Sequence, residues 1–376
     1  MTQTINGDRL KQAREIKGLT QAELAERIHV SQSTIAHLES NNKQLILQPS
    51  DSIIEAIAIQ TGFSIPFFYQ ESPPEFPLGS LLFRSRRSTL KREDKRRFHQ
   101  LGCLIYEIAE KMTKRVNTIQ IKIPKVGNED PTVAARITRA ELGLSPDTPV
   151  RNLLNQLEKN GVLVFALPHT VDEQDAFSVW ADTQPRRPVI VISDNKPADR
   201  KRFSLAHELG HLVMHDTFPQ GLKKVEDEAD LFAGEFLLPE DAMRREIVPP
   251  VTLTTLAEKK PRWGVSISAL IVRARRLEII TERQAKYLHM QMRDNEWDKK
   301  EPENLHFKAE KPRALKRMAE LLHGVPVDVA KVAAYNIAPL KLIDEVLSAH
   351  ADKTDMPHAE KKQAAHSNVI QMRSKR

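Results

Sequence analysis

The chain has little of what would commit it to a membrane, a disulfide scaffold or export. Its 376 residues include one cysteine, Cys103, so no internal disulfide can form and a reducing compartment is expected. No run approaches the ~18 consecutive apolar residues of a membrane helix. The opening residues, Met1-Thr2-Gln3-Thr4-Ile5-Asn6-Gly7-Asp8, carry no apolar signal region. Aromatic residues supply only 5% of the chain, against 40% hydrophobic and 28% charged, and Leu, Ala, Glu, Lys and Arg occur in long runs. That is a soluble profile that leans helical, with a cytoplasmic location and no membrane partner expected. No internal repeat is visible.

What is present begins with charge. A net charge of +7 favours contact with nucleic acid, although a basic soluble protein with no such partner would look the same. The length points to two or three domains. Residues 1–70 read as a compact helical unit, 71–125 as a basic linker and connecting helix, and 126–300 as helices mixed with short β-like runs. Residues 301–350 read as a helical region and 351–376 as a disordered polar tail. In the linker, Arg84, Arg86, Arg87, Lys91, Arg92, Lys95, Arg96 and Arg97 crowd together. They either follow a phosphate backbone or form the solvated face of a helix leading into Phe98 and Leu101, and charge runs favour the second.

Residues 1–70 carry a helix-turn-helix pattern. Leu10, Ala13 and Ile16 line one face of a first helix that stops at Gly18. Thr20-Gln21-Ala22-Glu23 has the form of a capping box, opening a second helix with Leu24, Ala25 and Ile28 inward. His29-Val30 makes the turn, and Ser31 caps a third helix that runs through Leu38 and ends at Asn41-Asn42. Ile53, Ile54, Ile57 and Ile59 supply a fourth helix that closes the core. On Leu19-Thr20-Gln21-Ala22-Glu23-Leu24-Ala25 and Val30-Ser31-Gln32-Ser33-Thr34-Ile35-Ala36-His37-Leu38-Glu39, this unit resembles the Xre family of helix-turn-helix regulators. The resemblance implies a lambda-repressor-like bundle whose third helix enters the major groove of double-stranded DNA. Gln32, Ser33 and Thr34 would then reach base edges, with His37 also among the contacts and Gln21 against a phosphate. It also implies a homodimer reading two half-sites. His29 stands where the family favours glycine, so positive φ is expected at a residue with a side chain.

His207-Glu208-Leu209-Gly210-His211 is the most informative stretch. Residues four apart share a helix face, so His207 and His211 can grip one zinc ion from adjacent turns. Glu208, beside that face, is placed to hold a water molecule and take its proton. The helix is expected to begin near Pro197. His215 falls on the same face and reads as a helix-end residue, since a fourth ligand would close the site; it is also a candidate oxyanion donor. A third ligand is sought in Val225-Glu226-Asp227-Glu228-Ala229-Asp230-Leu231-Phe232-Ala233, where Glu226 and Glu228 both qualify. Glu226 has Asp230 one turn on, a carboxylate able to orient a ligand imidazole from behind. Glu228 has Phe232 at that step, the mark of a packing face, so Glu226 is chosen.

Arg202-Phe203-Ser204-Leu205-Ala206-His207-Glu208-Leu209-Gly210-His211-Leu212-Val213 and Glu226-Asp227-Glu228-Ala229-Asp230-Leu231-Phe232-Ala233-Gly234-Glu235-Phe236-Leu237-Leu238-Pro239 resemble the ImmA/IrrE family of zinc metallopeptidases. The upstream Pro131–Leu144 and Leu157–Val164 stretches resemble its first helices and strand. The resemblance implies an α+β zincin-like domain with a small sheet behind the Xre bundle, in a multidomain, mainly α chain. It also implies zinc ligands His207, His211 and Glu226, a general base Glu208, and a repressor-type protein substrate cut in a stress or mobile-element response. Three functions are thus in play. One is a regulator carrying an active endopeptidase, and another a regulator whose zinc domain senses with little proteolysis. In the third, the N-terminal unit only recruits a protein partner. An intact Glu208 favours the first over the second, and the polar first turn of the third helix favours DNA over recruitment.

Overall fold

The computed structural model describes residues 4–40, 49–73, 92–116, 119–127, 129–168, 176–181, 186–215 and 222–351. Asn41-Asn42, Arg84, Arg86, Arg87, Lys91 and the tail from residue 352 lie outside that set. The N-terminal unit comprises α1 (Gly7–Ile16), α2 (Gln21–Arg27), α3 (Gln32–Glu39) and α4 (Asp51–Thr61), followed by a 3-10 turn at Ile65–Tyr69. Both expected caps are formed. Thr20 Oγ1 accepts the Glu23 N–H at 3.1 Å while Glu23 Oε2 accepts the Thr20 N–H at 2.7 Å, and Ser31 Oγ accepts the Thr34 N–H at 3.2 Å. His29 has φ 55°, a conformation histidine adopts more readily than a β-branched residue. Leu10, Leu24, Ile35, Ile54 and Ile57 are buried, but Ile59 is 77% exposed. It follows Ile57 by two residues, about 200° round the helix, and so leaves the core face on which it was expected.

α5 (Arg92–Thr113) does more than connect. Phe98, Leu101, Leu104, Ile105, Ile108 and Met112 are buried in one apolar cluster with α1, one face of the sheet and the C-terminal helices. Where α5 crosses the sheet stands Gly102; a Cβ there would lie 2.9 Å from Phe177 Cζ, so only glycine lets the helix come this close. Two members of the basic cluster reach α1. Arg97 Nε donates to the Ile16 carbonyl at 3.0 Å and Arg96 lies 3.9 Å from Glu15. Beside them Arg9 grips Glu107 through two hydrogen bonds of 2.7 and 3.0 Å. Burial alone would raise the Glu107 carboxyl, but Arg9 and Lys111 outweigh it and hold it below the ordinary range.

After α6 (Pro131–Glu141) and α7 (Leu153–Lys159) comes a three-stranded sheet: β1 (Leu163–Leu167), β2 (Ala176–Ala181) and β3 (Arg187–Ser193). The order is β1-β3-β2, with β1 parallel and β2 antiparallel to β3. Helices cover both faces, which explains the unbroken apolar runs of β1 and β3. Leu163, Phe165, Phe177, Val179 and Val191 join the cluster around α5, whereas Val164, Ala166, Ala176, Ile190 and Ile192 join a second cluster. That second cluster is built on α8 (Ala198–Met214) and α9 (Leu222–Leu237). It extends over α10 (Glu240–Glu246), α11 (Leu253–Ala257), α12 (Lys260–Trp263), α13 (Ile267–Arg276) and α14 (Glu282–Asp294). The helices expected in residues 301–350 are α15 (Ala314–His323), α16 (Val329–Asn336) and α17 (Leu340–Ser348), and their apolar faces join the cluster around α5. No helix among the described residues is long and apolar enough to cross a membrane.

Candidate metal centre

α8 starts at Ala198, with Pro197 in the capping position rather than the first turn, and Asp199 sits near its positive N-terminal end. The strand β2 and α9 enclose it, so even its polar residues are buried. His207 and His211 are each 3% exposed and Glu208 is 1% exposed. α9 brings a stripe of Val225, Ala229, Phe232, Ala233 and Phe236 into the core. It meets α8 at Gly210, where an added Cβ would stand 3.0 Å from the Phe232 ring. That close approach carries Glu226 to the histidines.

His207 Nε2 and His211 Nε2 lie 3.0 Å apart, and the Glu226 carboxylate is 3.5 Å from the first and 3.3 Å from the second. Among the described residues these three form the one group whose ligand atoms converge in a manner suited to a metal ion. Behind His207, Nδ1–H donates to Asp230 Oδ1 at 2.8 Å, which leaves the Nε2 lone pair to face the centre. The electrostatics agree with a cation-binding donor set. Burial keeps the His211 imidazole below its ordinary pKa, so it is neutral with a lone pair available. Burial would raise the Glu226 carboxyl, but the two histidines outweigh it and hold the group well below the carboxylate range.

Two residues depart from expectation. Glu228 was assigned to a packing face, yet its carboxylate lies 3.1 Å from His215 Nε2. Phe232 does pack as expected, but helix spacing fixes only Cβ positions, and the long glutamate side chain turns back to α8. His215, the C-cap residue of α8, is 3.1 Å from His211 through the two Nδ1 atoms; both its ring nitrogens are engaged, so it is not an oxyanion donor here. Ser178 was missed altogether. Its Oγ–H donates to Glu208 Oε2 at 2.7 Å. The one signal was a lone hydroxyl residue in the apolar run Ala176-Phe177-Ser178-Val179, at a position whose period-two neighbours face α8. Next to it, Trp180 Nε1–H donates to the Leu212 carbonyl at 2.9 Å, pinning β2 along the last turns of α8. Asp230 also forms part of the wall of a cavity of about 880 Å³, together with Phe203, Arg276, His289 and Trp297.

In the N-terminal unit, Gln32, Ser33 and His37 are exposed on α3. Thr34 is half-buried, its hydroxyl 2.8 Å from Ser31 Oγ. Gln21 was expected at a phosphate, but its Nε2 donates to Glu39 Oε2 at 2.7 Å. Glu39 is in turn clamped by Arg14 at 2.5 and 2.9 Å. The Gln21 amide therefore ties α2 to α3.

Two family models match separate parts of the chain. Residues 10–68 match the helix-turn-helix family model, and residues 157–275 match the model of the IrrE N-terminal-like domain, peptidase family M78. The chain thus joins an Xre-type helix-turn-helix to a domain of metallopeptidase type. Among solved structures it is similar to a Mycobacterium tuberculosis transcriptional regulator, at 19% identity and a TM-score of 0.28, over 46% of this chain and 51% of that one. The match spans about half the length of that structure. No curated protein matches the chain.

Proposed function

We propose that the protein is a DNA-binding transcriptional regulator with a zinc-dependent endopeptidase domain that cleaves a repressor-type partner. The observation that carries this reading is the convergence of His207 Nε2 and His211 Nε2 of α8 with the Glu226 carboxylate of α9, beside the buried Glu208. Two imidazoles and a carboxylate are a zinc donor set. A tetrahedral ion with bonds of ~2.0–2.1 Å sets its ligand atoms about 3.3 Å apart; the Nε2 atoms stand 3.0 Å apart, with one Glu226 oxygen 3.3 Å from His211 and the other 3.5 Å from His207, a spacing of the same size. When bound, zinc would supply Lewis-acid polarisation of the scissile carbonyl. Glu208, steadied by the Ser178 hydroxyl, takes the proton of the attacking water and passes it to the leaving amine. As an edge strand of the sheet, β2 offers its main chain to an extended substrate. Gln32, Ser33, Thr34 and His37 read DNA as one half of a homodimer, with the basic chain drawn to phosphates.

A second reading, a zinc domain that senses rather than cleaves, is supported by the near-complete burial of Glu208. One comparison separates the two: wild type against Glu208→Gln, measured for zinc content and for cleavage of helix-turn-helix repressors from the same genome. Equal zinc with cleavage by wild type alone, a loss of about 10²–10⁴-fold in the variant, supports the peptidase. Equal zinc and no cleavage by either protein supports the sensor.

A further inference from the structure

His207 is backed directly by a carboxylate, through the Asp230 bond. On His211 the corresponding nitrogen meets a second ring, and a chain begins there. His211 Nδ1 lies 3.1 Å from His215 Nδ1, and His215 Nε2 lies 3.1 Å from Glu228 Oε2. Two facing imidazole nitrogens make a hydrogen bond only if one carries the proton and the other the lone pair. The ends of the chain decide which. With Nε2 of His211 turned to the centre as a lone pair, its proton must sit on Nδ1 and donate to His215. His215 then accepts at Nδ1 and keeps its proton on Nε2, where the Glu228 carboxylate accepts it. Every donor meets an acceptor under this one assignment, and the opposite one would leave His215 Nε2 as a bare lone pair against a carboxylate.

We infer that His215 and Glu228 are positioning residues for the metal centre: a carboxylate–imidazole relay that fixes the tautomer and ring orientation of His211, as Asp230 does for His207. The relay rests on the zinc reading of His207, His211 and Glu226. It makes the two histidines electronically alike, each backed by a carboxylate, one directly and one through a second ring. It also explains why both Glu226 and Glu228 of α9 turn towards α8, one to the centre and one to the outer edge. Partners behind a metal-bound histidine are commonly worth about ten- to a hundredfold in metal affinity.

The test uses the full chain and zinc alone, with affinity read by competition against a chelator. His215→Phe, which keeps a ring in place, and Glu228→Ala are each expected to weaken zinc binding by about ten- to a hundredfold. Glu228→Gln, which keeps an acceptor oxygen, is expected to recover most of that loss. The decisive variant combines His215→Phe with Glu228→Ala. In a relay Glu228 acts only through His215, so the double variant should bind no more weakly than His215→Phe alone. Cobalt(II)-loaded protein gives a second readout, since the visible ligand-field bands should shift in His215→Phe and Glu228→Ala. They should not shift in Lys224→Ala, whose ammonium reaches Glu228 at 3.6 Å from the solvent side. Wild-type affinity and spectrum in His215→Phe, or additive losses in the double variant, overturn the relay while leaving the zinc site standing. A wild-type chain that binds neither metal overturns both.

Discussion

The two functional regions present their polar residues in opposite ways. On α3, Gln32, Ser33 and His37 stand in solvent on a helix held by caps and an apolar underside. In the candidate metal centre, His207, His211 and Glu208 are almost wholly buried, and each side chain is tied to another. The first arrangement suits a partner that arrives with its own shape and charge and needs only exposed donors and acceptors. The second suits chemistry, where water is excluded and charge must be held in place beforehand. The lesson is that a bare polar face needs little from the rest of the fold, whereas a buried polar centre depends on several elements at once.

The two regions are nonetheless joined through α5, and the Arg9–Glu107 pair at that junction offers the strongest test of their independence. Arg9→Ala leaves the buried Glu107 carboxylate with the half-exposed Lys111 as its remaining ion pair, a loss of about 3 kcal/mol of stability. Denaturant unfolding should show it as one shared transition moving to lower denaturant, because α5 lies in a single apolar cluster with α1 and the sheet. Two separate transitions, with only the first shifted, would break that joining.

A third buried histidine sharpens the contrast within the protein. His350 makes one hydrogen bond, from Nδ1–H to the Val346 carbonyl at 2.7 Å. Its Nε2 has no hydrogen-bond partner among the described residues. Burial pulls it down to about 4 against an ordinary value of 6.5, opposed by Asp194 and aided by Lys316 and Lys311. The folded state therefore holds His350 neutral while the unfolded chain takes up a proton below pH 6.5. Stability should fall as pH drops from about 6.5 to about 4 and level off below, by ~3 kcal/mol in all. Thermal melts of wild type and His350→Phe across that range check it, and an unchanged slope in the variant would assign the acid sensitivity elsewhere.

The smallest effect should lie on the exposed face. Gln32→Ala is expected to cost about 1–3 kcal/mol in binding to the operator and much less on random DNA, with zinc content unchanged. An equal loss on both DNAs would demote Gln32 from a base contact to a phosphate contact.

How much of this was legible beforehand follows the range of the interactions. The caps at Thr20 and Ser31, the left-handed His29 and the shared face of His207 and His211 all depend on residues within about four positions, so sequence spacing reveals them. Even locally, Ile59 shows that counting apolar residues without their angle misplaces one. The role of α5 was hidden because its basic first turn reads as solvated until α1 is seen against it. Ser178 was hidden because a strand's partner helix is not written in the strand.

The sequence alone therefore separated a helix-turn-helix unit from the region that follows, identified the helix with two ligand-type histidines, and favoured Glu226 over Glu228 for the third place. Tertiary structure set where the two glutamates go. The packing of Phe232 on Gly210 sets how α9 lies on α8, and so brings Glu226 to the centre and Glu228 to His215. Periodicity fixes which way a residue leaves its own helix; only the contact between helices fixes what it meets.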